Sequence, residues 1–131
     1  MSSAASTPLD AAEQVIRAMD AAFVRNANAS NATALTEEFY AEDARLLPPN
    51  SPLVRGREAI RSFWERFLAA GCSDLKLETG EIGASGDLAY GVGNYEYTQA
   101  GTRHAGKYVV VYRRQPDGGF RAVADSFSSN D

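Results

Sequence analysis

The spacing of apolar residues changes once along this chain, at Gly71, and that change constrains the fold more than any other feature. Before it, apolar residues recur at steps of three and four. After it they recur at every second position. Ala12, Val15, Ile16, Met19, Ala22 and Phe23 trace one face of a first helix, which Thr7 can cap and Pro8 can open. That helix is expected to end near Asn26. Asn31 can cap a second, shorter helix with Leu35 and Phe39 inward. Ile60, Phe63, Trp64, Phe67 and Leu68 give a third helical stripe, with Gly71 in the position that ends a helix. Between the second and third helices, Ala44 to Leu47 is a short strand candidate, halted by Pro48, Pro49 and Pro52.

Beyond Gly71, Leu75 to Gly83, Leu88 to Gln99, Thr102 to Arg114 and Phe120 to Ser128 read as four strands. Their connections are short turn sequences: Gly83 to Asp87, the Ala100-Gly101 corner, and Gln115 to Gly119. Short links between long strands imply an antiparallel meander rather than a parallel sheet with crossovers. Helices first and strands last predict an α+β domain over residues 8–131, with three helices on one face of an antiparallel sheet and residues 1–7 a disordered N-terminus. A chain of 131 residues suffices for one core burying ~65% of its unfolded surface.

Several functions are disfavoured at this level. A net charge of −4 argues against a nucleic-acid binder, which needs clustered Lys and Arg. One cysteine, Cys72, and one histidine, His104, leave neither an internal disulfide nor a Cys/His metal cluster, so no metal or organic cofactor is expected. Apolar runs fall short of a membrane span, and residues 1–10 carry no basic-then-apolar leader pattern, so the expectation is cytoplasmic, with no membrane partner. On that expectation the glycosylation sequons at Asn28 and Asn31 are chance matches.

The strand pattern also predicts a partner. Tyr108, Val110 and Tyr112 face one way and Val109 and Val111 the other. Val123, Asp125 and Phe127 are likewise expected opposite Ala122 and Ala124. Strands apolar on both faces need cover on both. Helices cover one face, and a second copy of the sheet is the simplest cover for the other, giving a homodimer.

Three stretches carry a family resemblance: FYAEDARLLPPNSPLVRGREAIRSFW (residues 39–64), GDLAYGVGNYEY (86–97) and GKYVVVYRRQPDGGFRAVADSFSSN (106–130). Together they resemble the nuclear transport factor 2-like superfamily, in its SnoaL-like and ketosteroid-isomerase-like branch, over roughly Ala11 to Asn130. The resemblance implies a cone: a curved sheet wrapped around helices, an apolar cavity, and dimers through the sheet. It does not carry one reaction, because the superfamily includes isomerases, cyclases, hydrolases and members without catalysis. The isomerase's Asp base, Tyr and second Asp would fall at about Pro48, Met19 and Val110, none of which can act. An epoxide-hydrolase set of Asp, Arg and Asp would use Asp20, Arg103 and Asp125.

Candidate site residues follow from these faces. Asp125, if it points into the cone, would have a raised pKa and serve as a general base; otherwise it pairs with an arginine or sits at an exposed strand end. His104 is the second acid–base candidate by virtue of its ordinary pKa, or else a solvated strand-start residue. Tyr95 and Tyr97 share one strand face and can present hydroxyls to a ligand. Tyr40, Trp64 and Phe127 complete the expected pocket wall, and each can equally be plain core. Asp43 reads as a cap or turn residue, Cys72 as a buried filler, and Arg55, Arg57 and Arg61 as a solvated face.

Two functions therefore remain. One is a protein binding a small, largely apolar molecule, with isomerase-, cyclase- or hydrolase-type chemistry. The other is a dimerising association module whose cone is filled by its own side chains and whose surface binds a partner protein. Whether Trp64, Tyr95 and Phe127 leave a void separates the two. Ligand pockets run ~300–1,000 Å³, and a cavity under ~100 Å³ would sink the first.

Overall fold

The computed structural model describes residues 8–131; the Thr7 cap and the expected disordered segment lie outside the described residues. Three helices, α1 (Pro8–Asn28), α2 (Ala32–Phe39) and α3 (Arg57–Ala69), pack on one curved, unclosed six-stranded sheet. The strands are β1 (Tyr40–Leu47), β2 (Val54–Arg55), β3 (Ser73–Ser85), β4 (Leu88–Gln99), β5 (Thr102–Arg114) and β6 (Phe120–Ser129), in the order β2-β1-β6-β5-β4-β3. Helix α1 lies against β3 and α2, α2 against α3, and α3 against β1, so the helices bridge the concave face.

The meander β3 to β6 is antiparallel, as its turns require. The expectation of a wholly antiparallel sheet fails at one seam: β1 runs parallel to β6. No hairpin joins these two strands. The chain between them passes through α3 and four other strands, and such a long connection leaves either direction open. Ala100 and Gly101 both have positive φ, 52° and 80°, the geometry of a two-residue hairpin turn.

Helix α1 continues two residues past its expected end. Asn26 donates from Nδ2 to Glu38 Oε1 (3.2 Å), and Asn28 both donates to the Leu75 carbonyl (3.2 Å) and accepts from the Leu75 N–H (2.8 Å). These amides, committed to other elements, do not compete for their own helix backbone. The Asn31 cap forms as expected, its Oδ1 accepting from the Ala34 N–H at 3.0 Å. Helix α3 ends at Gly71, whose φ of 100° is costly for any side chain.

Strand β1 begins four residues earlier than expected, because its pairing with β6 is interrupted between Tyr40 and Arg45 and the acidic pair Glu42-Asp43 occupies the irregularity. Asp43 therefore sits in a strand rather than a turn. Its carboxylate holds Arg113 at 2.9 Å, and that bond keeps its pKa below the ordinary value. A bulge in β6 corrects a second expectation. Opposite Val111 and Tyr112 the partners step from Ala124 to Ala122, which leaves Val123 as the extra residue and reverses the alternation. Ala122 and Asp125 thus both face the core, at 0% and 6% exposure, while Val123 is half-buried.

The core joins Ile16, Leu35, Leu46 and Ile60 to Tyr40, Tyr112 and Phe120. Gly93 lies directly opposite Tyr108, and a side chain there would collide with the Glu78 carbonyl and the Tyr108 hydroxyl. That absent side chain lets the Tyr108 hydroxyl reach β3. Val15, expected inward on α1, is 37% exposed.

A candidate acid–base site inside the cone

Asp125 is held in place by two aromatic residues from different elements. Tyr40, the first residue of β1, donates its hydroxyl to Asp125 Oδ2 at 2.6 Å, and Trp64 on α3 donates Nε1–H to the Tyr40 oxygen at 3.2 Å. Among the described residues no donor reaches Oδ1 of Asp125. Arg57, expected on a solvated face, instead places its guanidinium on the Tyr40 carbonyl at 2.8 and 3.1 Å. It ties the start of α3 to the α2–β1 junction, so the backbone that carries Tyr40 is fixed as well as its ring.

Burial pushes the Asp125 pKa up to about 6; the Tyr40 bond pulls against this, and the nearby Asp20 carboxylate adds to it. Burial, followed by the Asp125 charge, holds the Tyr40 hydroxyl well above its usual range, so Tyr40 is a donor and not a proton source near neutrality. Asp125 lies in the middle of β6 and, among the described residues, forms no ion pair with an arginine.

Asp125 lines an apolar cavity together with Trp64, Tyr95, Tyr97, Phe127 and Tyr108. Trp64 stacks on Phe127 (centroids 5.8 Å, 20° between planes), and Tyr95 meets Phe127 edge-on at 5.8 Å. These three rings close most of the cone. The remaining cavity is about 60 Å³, within a depression of about 520 Å³ that includes space open to solvent. The smaller volume falls under the limit set above and goes against the expectation of a ligand-sized pocket: the cone in this conformation does not engulf a steroid-sized molecule. Trp64 is at once cavity wall, core residue and hydrogen-bond donor.

His104 is placed elsewhere. Its ring stacks on Tyr97 at 5.1 Å and 22°, near the Gln99–Thr102 turn, and it is not among the residues lining the cavity. Arg103 reaches Glu96 (2.8 Å), the Thr98 hydroxyl (3.0 Å) and the Asp74 carbonyl (2.9 Å) from the opposite face of β5, so Asp20, Arg103 and Asp125 form no common set. Cys72 is buried and burial raises its thiol pKa, consistent with filler rather than a nucleophile. Among the described residues no three His, Cys, Asp or Glu side chains gather as a metal site, and no helix is long and apolar enough to cross a membrane.

Sequence reasoning missed a second polar chain. Thr79 on β3 donates from Oγ1 to Asp20 Oδ2 at 2.6 Å and lies 2.5 Å from the Tyr108 hydroxyl. Asp20 and Tyr108 both line the cavity. The signal for Asp20 was available: Ile16, Asp20, Phe23 and Ala27 recur at helical spacing, which puts a carboxylate inside an apolar stripe. Thr79 offered none.

Three helices on a curved mixed sheet, with an apolar cavity in the concave side, define a protein of the nuclear transport factor 2-like, cystatin-like fold. The chain belongs to the SnoaL-like domain family, which it matches over residues 20–123. Solved structures agree on the fold. A nuclear transport factor 2-like protein from Novosphingobium aromaticivorans is similar at a TM-score of 0.79 and 24% identity, covering 92% of this chain and 83% of that one. A ketosteroid isomerase-like protein from Erwinia carotovora atroseptica gives 0.79 and 21%, over 90% and 95%. A putative calcium/calmodulin dependent protein kinase II association domain from Xanthomonas campestris gives 0.78 and 23%, over 95% and 92%. No curated protein matches the sequence.

Proposed function

We propose that the cone receives one end of a small, largely apolar molecule, and that Asp125 acts there as a general base. One observation carries this reading: a carboxylate sits in an apolar cavity with Oδ2 fixed by Tyr40 and Oδ1 without a donor among the described residues. A carboxylate with a pKa of about 6 accepts protons well near neutral pH, and a C–H or O–H brought to Oδ1 would meet an oriented base in a water-poor site. The cavity volume restricts the ligand. Its reacting end would enter the cavity of about 60 Å³, and the remainder would lie in the surrounding depression that opens to solvent. Isomerisation, cyclisation and hydrolysis all fit one positioned base, and none of them calls for a metal here.

The test is the thermal unfolding midpoint against a panel of steroids, aromatic polyketide-like phenols, terpenoids and fatty acids, with short-chain ketones and enones added for end-on entry. A ligand at 100 times its Kd adds ~2.7 kcal/mol, which moves the midpoint by several degrees. A shift that Asp125→Asn alters supports the reading; no shift across the panel overturns it.

A second reading, the association module, is favoured by the outer sheet face. Tyr90, Val92 and Val109 are about 40% exposed there, beside the half-buried Val111. The Xanthomonas association domain shares this fold. We propose that this face pairs two copies of the chain, an arrangement compatible with either use of the cone.

A further inference from the structure

We propose that Asp20, Thr79 and Tyr108 form a hydroxyl relay that sets whether the cavity presents a hydrogen-bond donor or an acceptor at Tyr108, with Asp20 linking the enclosed cavity to solvent outside. The inference deepens the ligand-site reading and rests on it for its use. Its geometry stands independently. Asp20 is a wall shared by two spaces: it lines the cavity, and it lines the outer groove between α1 and β3 together with Arg17 and Thr79. From Asp20 Oδ2 the chain runs 2.6 Å to Thr79 Oγ1 and 2.5 Å to the Tyr108 hydroxyl, which is buried and faces the cavity.

A threonine hydroxyl has one proton, so the chain has two ordered states. With Asp20 ionised, Thr79 donates to the carboxylate and Tyr108 donates to Thr79, leaving a Tyr108 lone pair for the cavity. With Asp20 protonated, the carboxyl donates to Thr79, Thr79 donates to Tyr108, and the Tyr108 proton is free for a ligand oxygen. Moving between these states takes one proton from the groove onto Asp20 and rotates two hydroxyls. If an oxyanion forms in the cavity, the Tyr108 proton passes to it, the Thr79 proton to Tyr108 and the Asp20 proton to Thr79. Three O–H bonds break, three form, and the negative charge ends on Asp20.

The surroundings bear on the Asp20 charge from every side. Arg17, on the same helix, favours the ionised form and also holds the Thr79 carbonyl at 3.1 Å. From β3 the Thr79 bond acts in the same sense, and Lys76 and Glu78 line the same groove. Tyr108 and Tyr112 on β5 and Asp125 on β6 lie within electrostatic reach. Burial outweighs the two favourable partners and raises the Asp20 pKa. Tyr108, pushed up to about 12 by burial, stays protonated in both states, so it can switch direction without ionising.

The test needs no ligand. In protein labelled at tyrosine Cζ, the carbon shift reports the direction of the hydroxyl bond, and the Tyr108 signal is assigned by its loss in Tyr108→Phe. Wild type and Thr79→Ser should show a titration step in this signal as Asp20 protonates, and Thr79→Val and Asp20→Asn should lose it. The absence of a step in wild type, or a step of wild-type size in Thr79→Val or Asp20→Asn, overturns the relay. Should Thr79→Val not fold, Asp20→Asn carries the same comparison. A ligand panel without hits leaves this readout intact, and failure of the relay leaves the role of Asp125 standing.

Discussion

Asp125→Asn should make the protein's stability less dependent on pH, and the structure supplies both sign and size. The folded carboxyl titrates at about 6 against an ordinary 3.8. Between those values the folded state holds a proton that the unfolded chain releases. Stability from this group is therefore complete below about pH 4 and is lost as pH rises through about 6. At about 1.4 kcal/mol per tenfold change the whole loss is about 3 kcal/mol, of which about 2 kcal/mol falls between pH 4.5 and 8. Because Asp125 is only 6% exposed, solvent screening takes little from that figure.

Asparagine keeps the shape of the side chain and an oxygen for the Tyr40 hydroxyl, but it does not ionise. Urea unfolding at pH 4.5, 6 and 8 should show wild type losing about 2 kcal/mol more than the variant over that range. Asp20, whose pKa is also raised, titrates in both proteins and largely cancels in the difference. Parallel pH profiles would refute the reasoning. They would mean that the carboxylate is hydrated or paired in solution, and the argument for a general base would fall with it.

Tyr40→Phe should cost about 2–3 kcal/mol at pH 8, because it strips the one donor found among the described residues from a buried charge and leaves the Trp64 N–H without its acceptor. The cost should be smaller at pH 4.5, where Asp125 is neutral, and the Asp125 midpoint should move further up; an equal cost at both pH values would contradict the bond. Val109→Lys, placed opposite Val92 on the outer sheet face, should convert a dimer into a folded monomer in light scattering at tens of micromolar. A wild-type monomer under the same conditions would refute the sheet-to-sheet dimer.

How much of this was legible in the sequence depended on whether a local rule governed the position. The helices, the meander and its turns followed from periodicity and from residues such as Gly71, Asn31 and Ala100-Gly101, whose conformations are set by their own chemistry. The cavity face of β4 was readable for Tyr95 and Tyr97 because no bulge intervenes there. In β6 the bulge at Val123 reverses the alternation, and VADSF contains nothing that marks it. Strict counting left open which face is concave, and it grouped Asp125 with Val123 rather than with Ala122. The Tyr40–Asp125 bond spans 85 residues and the Asp20–Thr79 bond 59. Such pairs depend on the parallel β1–β6 seam and on the α1–β3 packing, which no local pattern encodes.

The small cavity and the raised carboxylate pull the functional argument in opposite directions, and their energetics decide between them. In a cone that is only filled, Asp125 would serve as acceptor for the Tyr40 hydroxyl, which an uncharged amide oxygen could also do. Leucine or asparagine would serve the same volume, whereas the carboxylate costs about 3 kcal/mol at neutral pH, a large share of the 5–15 kcal/mol that holds a domain together. The Tyr40 bond offsets part of that cost and does not remove it, as the pKa of about 6 shows. Local rules tend to be broken where function requires it, and here the breach lies at the wall of the one apolar cavity described. Phe67 meets Trp64 at 5.2 Å and Tyr97 at 5.2 Å, so ring contacts narrow the cavity. The volume argues against a ligand held whole inside the cone, and the cost of the buried carboxylate is what supports the proposed base at its wall.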